Sequence, residues 1–307
     1  MSTVSRLQAI LDSGQLAVTS ECGPPRGADP EVIRQKGELL KGCVDAVNVT
    51  DNQTAVVRMS SLAACIHLKE MGLEPVFQMV CRDRNRIAMQ SDILGAAGHG
   101  ISNILCLSGD HQTFGDHPQA ANVFDLDSIQ LVYTARKMTD EGKFLGGAEI
   151  ESPPKMFVGA AANPFADPFE ARIMRLAKKV AAGAQFIQTQ CIFNIDRFEE
   201  YMARVRDMGL HEKVKILAGM TPMKSVGMAR YMQKQVPGMD VPEELIKRIS
   251  GVEKGKAGEE GIKICVEHIK RIKEIPGVAG FHIMAIEWEQ KVPQIVEQAG
   301  LLPRPQV

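Results

Sequence analysis

Short runs of consecutive apolar residues alternate along the chain with longer segments in which apolar residues recur every three or four positions. Continuous runs such as NILCLS predict strands that are buried on both faces, as in parallel sheets. The longer segments predict amphipathic helices. The predicted strands are Leu16–Cys22, Ala46–Thr50, Pro75–Cys81, Asn103–Ser108, Met156–Ala162, Phe186–Gln190, Val214–Gly219 and Gly280–Ile286.

The segments between these strands predict helices on the outside of a parallel sheet. They are Glu31–Gly42, Ala55–Met71, Asn85–Ala97, Ser128–Glu141, Phe169–Ala182 and Asp196–Met208. Eight strand–helix units in 307 residues predict an α/β fold, a (β/α)8 TIM barrel that forms a single domain over residues 1–307. A doubly wound sheet is disfavoured because no G-x-G-x-x-G or P-loop pattern is present.

Two further helical regions are predicted outside this regular alternation. Residues Val241–Ser250 and Glu259–Glu274 bracket a Gly/Lys-rich turn and predict an extra helix packed outside the barrel before the last strand. The first 14 residues predict an amphipathic helix rather than a signal peptide. No apolar stretch approaches the roughly 20 residues of a membrane span. We therefore expect a cytoplasmic protein with no membrane partner.

Composition narrows the classes of partner and metal site. The formal net charge is −1. The sequence therefore has no excess of basic residues of the kind that would predict a nucleic-acid partner. Seven cysteines without C-x-x-C spacing predict neither a disulfide framework nor a local metal site, and no metal is expected. A thiolate site assembled in space remains open, although buried thiols are the more ordinary use of cysteine.

The carboxyl ends of the strands are where a barrel carries its chemistry. Glu21 follows the first strand and Asp110 the fourth, so the two carboxylates predict an acid and an anion facing one pocket. A rim carboxylate and a loop cap are the alternatives. Other residues at these ends are Thr50, Asp51, Asn52, Gln53, Gln78, Arg82, Asp83, Ser108, Gly109, His111, Gln112, Asn163, Gln188, Thr189, Gln190, Asn194 and Thr221.

The segments TSECGPPR, NVTDNQ, CLSGDHQ, AAANPFADPFEA, KKVAAGAQFIQTQCIFN and AGMTPM resemble, in this order, the methylenetetrahydrofolate reductase family of flavin-containing barrels. The resemblance covers roughly Gln15 to Leu302. It implies an oxidoreductase of one-carbon metabolism that reduces 5,10-methylenetetrahydrofolate to 5-methyltetrahydrofolate, with hydride from flavin N5.

The resemblance also implies roles for individual residues. Glu21 matches the family's general acid, Asp110 its aspartate near flavin and pterin, and Gln190 a glutamine that contacts the folate. The implied flavin, FAD or FMN, would be bound by Thr50, Gln78, Gly109, Asp110, Asn163, Asp167, Arg172 and Lys179. A non-redox pterin-binding methyltransferase barrel is the alternative, because it also needs an acid and polar contacts to the pterin.

Departures from the family pattern bear on the electron donor. Cys22 and Gly23 stand where many members have aromatic residues, and Gln78, Asn163 and Asp167 replace residues that some members carry as His or Tyr. The segment 221–226 lacks an aromatic residue that could stack on a nicotinamide dinucleotide. The resemblance is therefore to the form of anaerobic bacteria, in which an iron–sulfur partner subunit supplies electrons to the flavin; NADH and NADPH stay open as direct donors for this chain. We expect an oligomer or hetero-complex.

Overall fold

The computed structural model describes residues 3–307, so Met1 and Ser2 of the predicted first helix lie outside the described residues. Its sheet consists of β1 (Ala17–Cys22), β2 (Ala46–Val49), β3 (Pro75–Val80), β4 (Asn103–Leu107), β5 (Phe157–Ala162), β6 (Phe186–Cys191), β7 (Lys215–Met220) and β8 (Val278–Ile283). All neighbours are parallel in chain order, and β8 pairs with β1. The predicted (β/α)8 barrel is confirmed.

Helices cover the outside of the barrel. They are α1 (Arg6–Asp12), α2 (Glu31–Leu40), α3 (Ser61–Glu70), α4 (Arg86–Gly98), α5 (Ser128–Asp140), α6 (Phe169–Ala181), α7 (Ile195–Asp207), α8 (Leu210–Lys213), α9 (Val226–Gln235), α10 (Glu243–Ser250), α11 (Ala257–Ile272) and α12 (Val292–Gln298). Short 3₁₀ turns lie at Gln53–Ala55, Gln112–Phe114 and Glu289–Lys291. Within residues 3–307, no helix is both long and apolar enough to span a membrane.

One helical prediction needs correction. The helix predicted from Ala55 begins at Ser61, where the Ser60 hydroxyl accepts a hydrogen bond from Ala63 N. Asn52, Thr54 and Ala55 have φ of 44°, 57° and 58°, which no α-helix allows. Before the last strand, α10 and α11 correspond to the two predicted helical regions, and α9 precedes them.

The bottom of the barrel is filled by side chains and covered by α1. Leu7, Ile10 and Leu11 of α1 are at most 1% exposed and pack on the inward residues of the strands. Among these are Phe157 and Phe186, whose ring centroids are 4.9 Å apart. Because the N-terminal end of the barrel is closed, a ligand can enter only from the opposite, C-terminal end.

Replacing Gly159 on β5 tests this packing. A Cβ at this position would lie 2.3 Å from Cζ of Phe186, and the buried stack leaves the ring no room to move. Overpacking of this kind costs about 1–3 kcal/mol or more, so we expect Gly159→Ala to lower the urea midpoint clearly. Gly27→Ala is the matched control, because its Cβ would meet nothing within 4 Å; equal midpoints for the two variants would contradict the packing.

Candidate active site

A cleft of about 310 Å³ opens at the carboxyl ends of the strands, the end of the barrel that carries chemistry in this fold. Its walls combine polar side chains with a few apolar ones, among them Leu105 and Met284. The predicted site residues that the cleft brings together are Glu21, Thr50, Gln78, Gly109, Asp110 and Gln190. The two predicted carboxylates therefore do share one cavity.

Glu21, at the end of β1, is a carboxyl group whose pKa is strongly changed by its surroundings. Its side chain is 11% exposed, and burial raises the pKa of the carboxyl to about 7. The hydrogen bond from Gln53 Nε2 to Oε1, at 3.3 Å, lowers the pKa, whereas the charge of Glu289 raises it and that of Lys36 lowers it. Near neutral pH the carboxyl can therefore hold a proton and release it, as a general acid must.

His282 on β8 lies beside this carboxyl. Its Nε2 is 4.0 Å from Glu21 Oε2, and its Nδ1 is 2.9 Å from the hydroxyl of Thr19. Burial lowers the pKa of His282 to about 3, so the imidazole is neutral. A neutral ring cannot stabilise the carboxylate by charge, which is consistent with the raised pKa of Glu21.

The floor of the cleft continues this polar layer inside the barrel. Gln188 Nε2 donates to Asn48 Oδ1 at 3.1 Å and lies 3.5 Å from the Thr19 hydroxyl, while Asn48 Nδ2 donates to Gln188 Oε1. All three side chains are at most 3% exposed. Paired amides and hydroxyls of this kind fix each other's orientation, so the floor beneath Glu21 is rigid.

Arg82 holds together the two loops that form the rim. Its guanidinium donates to the backbone oxygens of Asp110, at 2.9 Å, and Asn52, at 3.1 Å. It also forms a bidentate pair with Asp83, with both distances 2.7 Å. Since the loops after β2 and β4 share one buried cation, neither moves independently of the other.

Asp110 is tied to the same pair of loops through its side chain. Its Oδ2 accepts a hydrogen bond from Thr54 N at 3.0 Å. Thr54 and its neighbour Ala55 have positive φ, a conformation that costs energy in residues other than glycine. Gly115 packs so closely that a Cβ there would lie 1.8 Å from the Ala55 oxygen. These contacts set the position of the Asp110 carboxylate at the mouth of the cleft.

A second cavity of about 200 Å³ is lined by basic residues. Arg172, Arg175 and Lys179 of α6 line it, and it shares Ala161 and Gln190 with the main cleft. Lys179 is 8% exposed, and its ammonium donates to the backbone oxygen of Ala161. Burial, followed by the charge of Arg175, lowers the pKa of Lys179 to about 8. An anion bound here would compensate for the lost solvation of the Lys179 ammonium and for its repulsion by Arg175. The cavity therefore suits a phosphate group.

Two observations test whether the residues fit a flavin. The hydroxyl of Thr50 faces the main cleft, is buried, and has no hydrogen-bond partner within residues 3–307. Gly109 has φ of 88°, and a Cβ on it would lie 3.0 Å from Cβ of Val80, so only glycine suits this wall. The free Thr50 hydroxyl in the cleft fits a contact with the polar ring of a flavin, and the adjoining basic cavity fits the phosphate that a flavin carries.

The other predicted flavin contacts divide between the basic cavity and the surface. Asn163 lines the basic cavity and caps the following turn, with Oδ1 accepting from Phe165 N at 3.0 Å. Arg172 lines the same cavity and donates to the Asp167 backbone oxygen at 2.7 Å. The Asp167 carboxylate is 85% exposed and pairs with Arg197 at 3.0 Å; it lines neither cavity, and its flavin contact stays a prediction.

Several residues around Glu21 escaped the sequence interpretation, namely Thr19, Lys36, Asn48, His282 and Glu289. For His282 a signal was present. The site residues were taken from the carboxyl ends of the strands, and the same rule applies to β8. Because β8 lies next to β1 in a closed barrel and its side chains alternate between inside and outside, His282 faces the site beside Glu21. The others are packing partners from distant parts of the chain, which no local pattern reveals.

The seven cysteines are all buried and unpaired with one another. Burial raises the pKa of Cys22 to about 12 and that of Cys191 to about 11, so both stay thiols at neutral pH. Within residues 3–307, no three His, Cys, Asp or Glu side chains are placed to hold a metal ion.

Replacing Glu21 should change how stability depends on pH. The folded pKa of about 7 lies above the ordinary glutamate pKa of 4.5, so the folded state holds the proton more tightly than the unfolded chain does. Stability is therefore lost as pH rises from 4.5 to 7. We expect Glu21→Gln to raise the free energy of unfolding by about 1–3 kcal/mol at pH 8 and hardly at pH 4. Urea unfolding at both values checks this, and a pH-independent gain would contradict the raised pKa.

Comparison with known proteins places the chain among its relatives. The sequence profile of the family described as "Methylenetetrahydrofolate reductase" matches residues 6–300. "Probable methylenetetrahydrofolate reductase (NADPH)" of Caenorhabditis elegans is 22% identical over 96% of this chain and 44% of its own length. "Methylenetetrahydrofolate reductase 2" of Schizosaccharomyces pombe is 27% identical over 79% of this chain and 36% of its own length. The chain thus spans less than half of these two relatives.

A bacterial relative and a solved structure match over nearly their full lengths. The "5,10-methylenetetrahydrofolate reductase" of Salmonella typhimurium is 21% identical over 94% of this chain and 93% of its own. A Clostridium thermocellum protein, whose structure is described as binding two copies of 5-methyl-5,6,7,8-tetrahydrofolic acid, has a TM-score of 0.67 at 12% identity. The match covers 95% of this chain and 99% of that one, and it shows a shared fold. Because the family profile matches nearly the whole chain, the protein belongs to the methylenetetrahydrofolate reductase family of oxidoreductases.

Proposed function

We propose that this protein reduces 5,10-methylenetetrahydrofolate to 5-methyltetrahydrofolate with a bound flavin, FAD or FMN. The observation that carries the proposal is Glu21, a largely buried carboxyl with a pKa of about 7 at the floor of the cleft. Opening the methylene bridge requires protonation of a folate nitrogen. An acid that is half protonated at neutral pH is matched to this step.

The other residues of the cleft would bind and orient the substrate. Gln190 offers an amide donor and acceptor, which suits the mixed hydrogen-bonding edge of a pterin. The Asp110 carboxylate would place a fixed negative charge near the cation that forms when the methylene bridge opens. On the cleft side, the neutral His282 and the apolar wall would shield the Glu21 proton from bulk water.

Lys179 and Arg172 would hold a phosphate of the flavin in the basic cavity, while the Thr50 hydroxyl would contact its ring. When bound, the flavin supplies the hydride that reduces the one-carbon unit. The protein's own contribution is to place that ring against the folate and to close off the bottom of the site, which α1 and the barrel core achieve.

The electron donor is part of the same proposal. No aromatic residue occurs in segment 221–226, so the strand end that would face a nicotinamide lacks a stacking surface, which is worth about 0.5–1.5 kcal/mol. We therefore favour an iron–sulfur partner subunit in a hetero-complex over direct transfer from NADH or NADPH.

Anaerobic absorbance of the purified protein, reconstituted with FAD or FMN, tests these points. We expect bleaching by 5-methyltetrahydrofolate and little response to NADH or NADPH. Rapid bleaching by NADH or NADPH would mean that the nicotinamide reduces the flavin directly and that no partner subunit is needed. A protein that binds folate yet never takes up flavin would instead support a non-redox pterin methyltransferase.

A further inference from the structure

Glu21 also lines a third cavity, which is smaller than the cleft and the basic cavity. This side cavity has a volume of about 30 Å³ and is bordered by Glu21, Lys36, Gln53, Arg58 and Glu289. A volume of this size is close to that of one water molecule, and polar walls are the condition under which a cavity is hydrated. The Glu21 carboxyl therefore lines the substrate cleft and the side cavity at once.

Glu289 connects the side cavity to the surface. It belongs to the 3₁₀ turn after β8 and is 5% exposed. Its Oε1 is 2.7 Å from Lys36 Nζ, and the Lys36 side chain is 21% exposed. The same ammonium donates to the Gly23 oxygen at 3.1 Å, so it holds Glu289 at the cavity while reaching toward solvent.

The reaction needs such a connection, because the acid must recover its proton in every cycle. Reduction of the folate transfers one proton from the Glu21 carboxyl to a folate nitrogen and leaves a carboxylate. The reverse reaction returns that proton to Glu21. A folate bound in the cleft would cover that side of the carboxyl, and the side cavity then offers the proton a second route to solvent.

We propose that Glu289, with one water molecule in the side cavity, relays protons between Glu21 and solvent while folate occupies the cleft. In the direction of 5-methyltetrahydrofolate oxidation, Glu21 accepts the proton from the folate nitrogen and passes it to the water. The water passes a proton to the Glu289 carboxylate, which releases it at the edge of the cavity beside Lys36. This inference rests on the proposed function.

The other groups that face Glu21 are less suited than Glu289 to accept its proton. His282 from β8 is neutral because burial lowers its pKa to about 3, so it cannot serve as the acceptor near pH 7. The Gln53 amide does not titrate, and Arg58 and Lys36 are cations. Asp110 is on the cleft side. Two further carboxylates line the side cavity: Glu287 is exposed to solvent, whereas Glu289 is buried beside Lys36.

Separate timing of hydride and proton transfer tests the relay. The flavin-loaded protein at pH 8 is mixed anaerobically with 5-methyltetrahydrofolate in weak buffer that contains a pH-indicator dye. Flavin bleaching reports oxidation of the folate, and the dye reports the one proton that is released. In the wild-type protein we expect both signals together.

Glu289→Gln keeps an oxygen that can accept from Lys36 but removes the titratable group. The loss of the Glu289 charge near Glu21 also changes the bleaching rate, so the diagnostic quantity is the ratio of the two rates: we expect proton release to trail bleaching by about 10-fold or more. Glu289→Asp restores a carboxyl and should shorten the lag. Glu259→Gln is the matched control, because Glu259 also pairs with a lysine, at 2.8 Å, but on the exposed surface.

Each outcome separates the relay from the proposed function. Proton release that keeps pace with bleaching in Glu289→Gln would overturn the relay, and so would a loss of bleaching equal to the loss of release. If Glu289→Gln does not fold, Lys36→Met removes the link to solvent and should show the same lag. Absence of bleaching in the wild-type protein would instead refute the folate oxidoreductase itself.

Discussion

Glu21→Gln should nearly abolish folate chemistry while leaving the flavin in place. Removal of a general acid typically costs about 10²–10⁴-fold in rate, and glutamine matches glutamate in shape. We expect the rate of bleaching by 5-methyltetrahydrofolate to fall by this factor. Reoxidation of the chemically reduced flavin by a dye should be unchanged, because no proton from Glu21 is needed, and it serves as the internal control.

A modest effect would have a specific meaning. If Glu21→Gln bleached within about 3-fold of wild type, the general-acid role would be wrong, and the raised pKa of Glu21 would reflect burial alone. Retained flavin is required for this conclusion and is measured on the same sample from its absorbance.

Asp110→Asn should reduce turnover by about 10²-fold, because a fixed charge aimed at a developing cation commonly contributes this much. Asparagine can still accept the hydrogen bond from Thr54 N, so the loops should keep their conformation and only the charge is lost. The same measurement of bleaching applies, with folate affinity determined separately.

Asp116→Asn is the matched control for Asp110. Asp116 lies in the same loop, and its Oδ1 accepts from Val57 N at 3.3 Å, but it does not line the cleft. Equal losses in the two variants would mean that Asp110 acts by holding the loops rather than by its charge.

The positions of the strands were predictable because continuous apolar runs are required of strands buried on both faces. The same logic placed Glu21 and Asp110 at the right end of the barrel, since all parallel strands end on one face. The start of α3 was not predictable. Asn52 is a residue type that often adopts positive φ, but Thr54 and Ala55 are not, and their conformation accompanies contacts with the loop after β4.

Only part of the chemistry of the site could be predicted from the sequence. The pKa of Glu21 depends on burial and on Lys36 and Glu289, which come from α2 and from the segment after β8. Lys36 and Glu289 come close to Glu21 because the barrel closes. The sequence pattern predicts that closure as a topology, but it does not predict the distances between side chains. The side cavity is likewise a gap between four segments, the end of β1, α2, the loop after β2 and the segment after β8, and it has no local sequence signature.

The burial of every cysteine makes the protein suitable for site-specific labelling. Since burial keeps the native thiols protonated and out of solvent, electrophilic reagents should react with them slowly. A thiol introduced by Phe114→Cys, at a position 66% exposed in the loop after β4, would react first. A fluorophore attached there would report whether that loop changes position when folate enters, with no native cysteine removed.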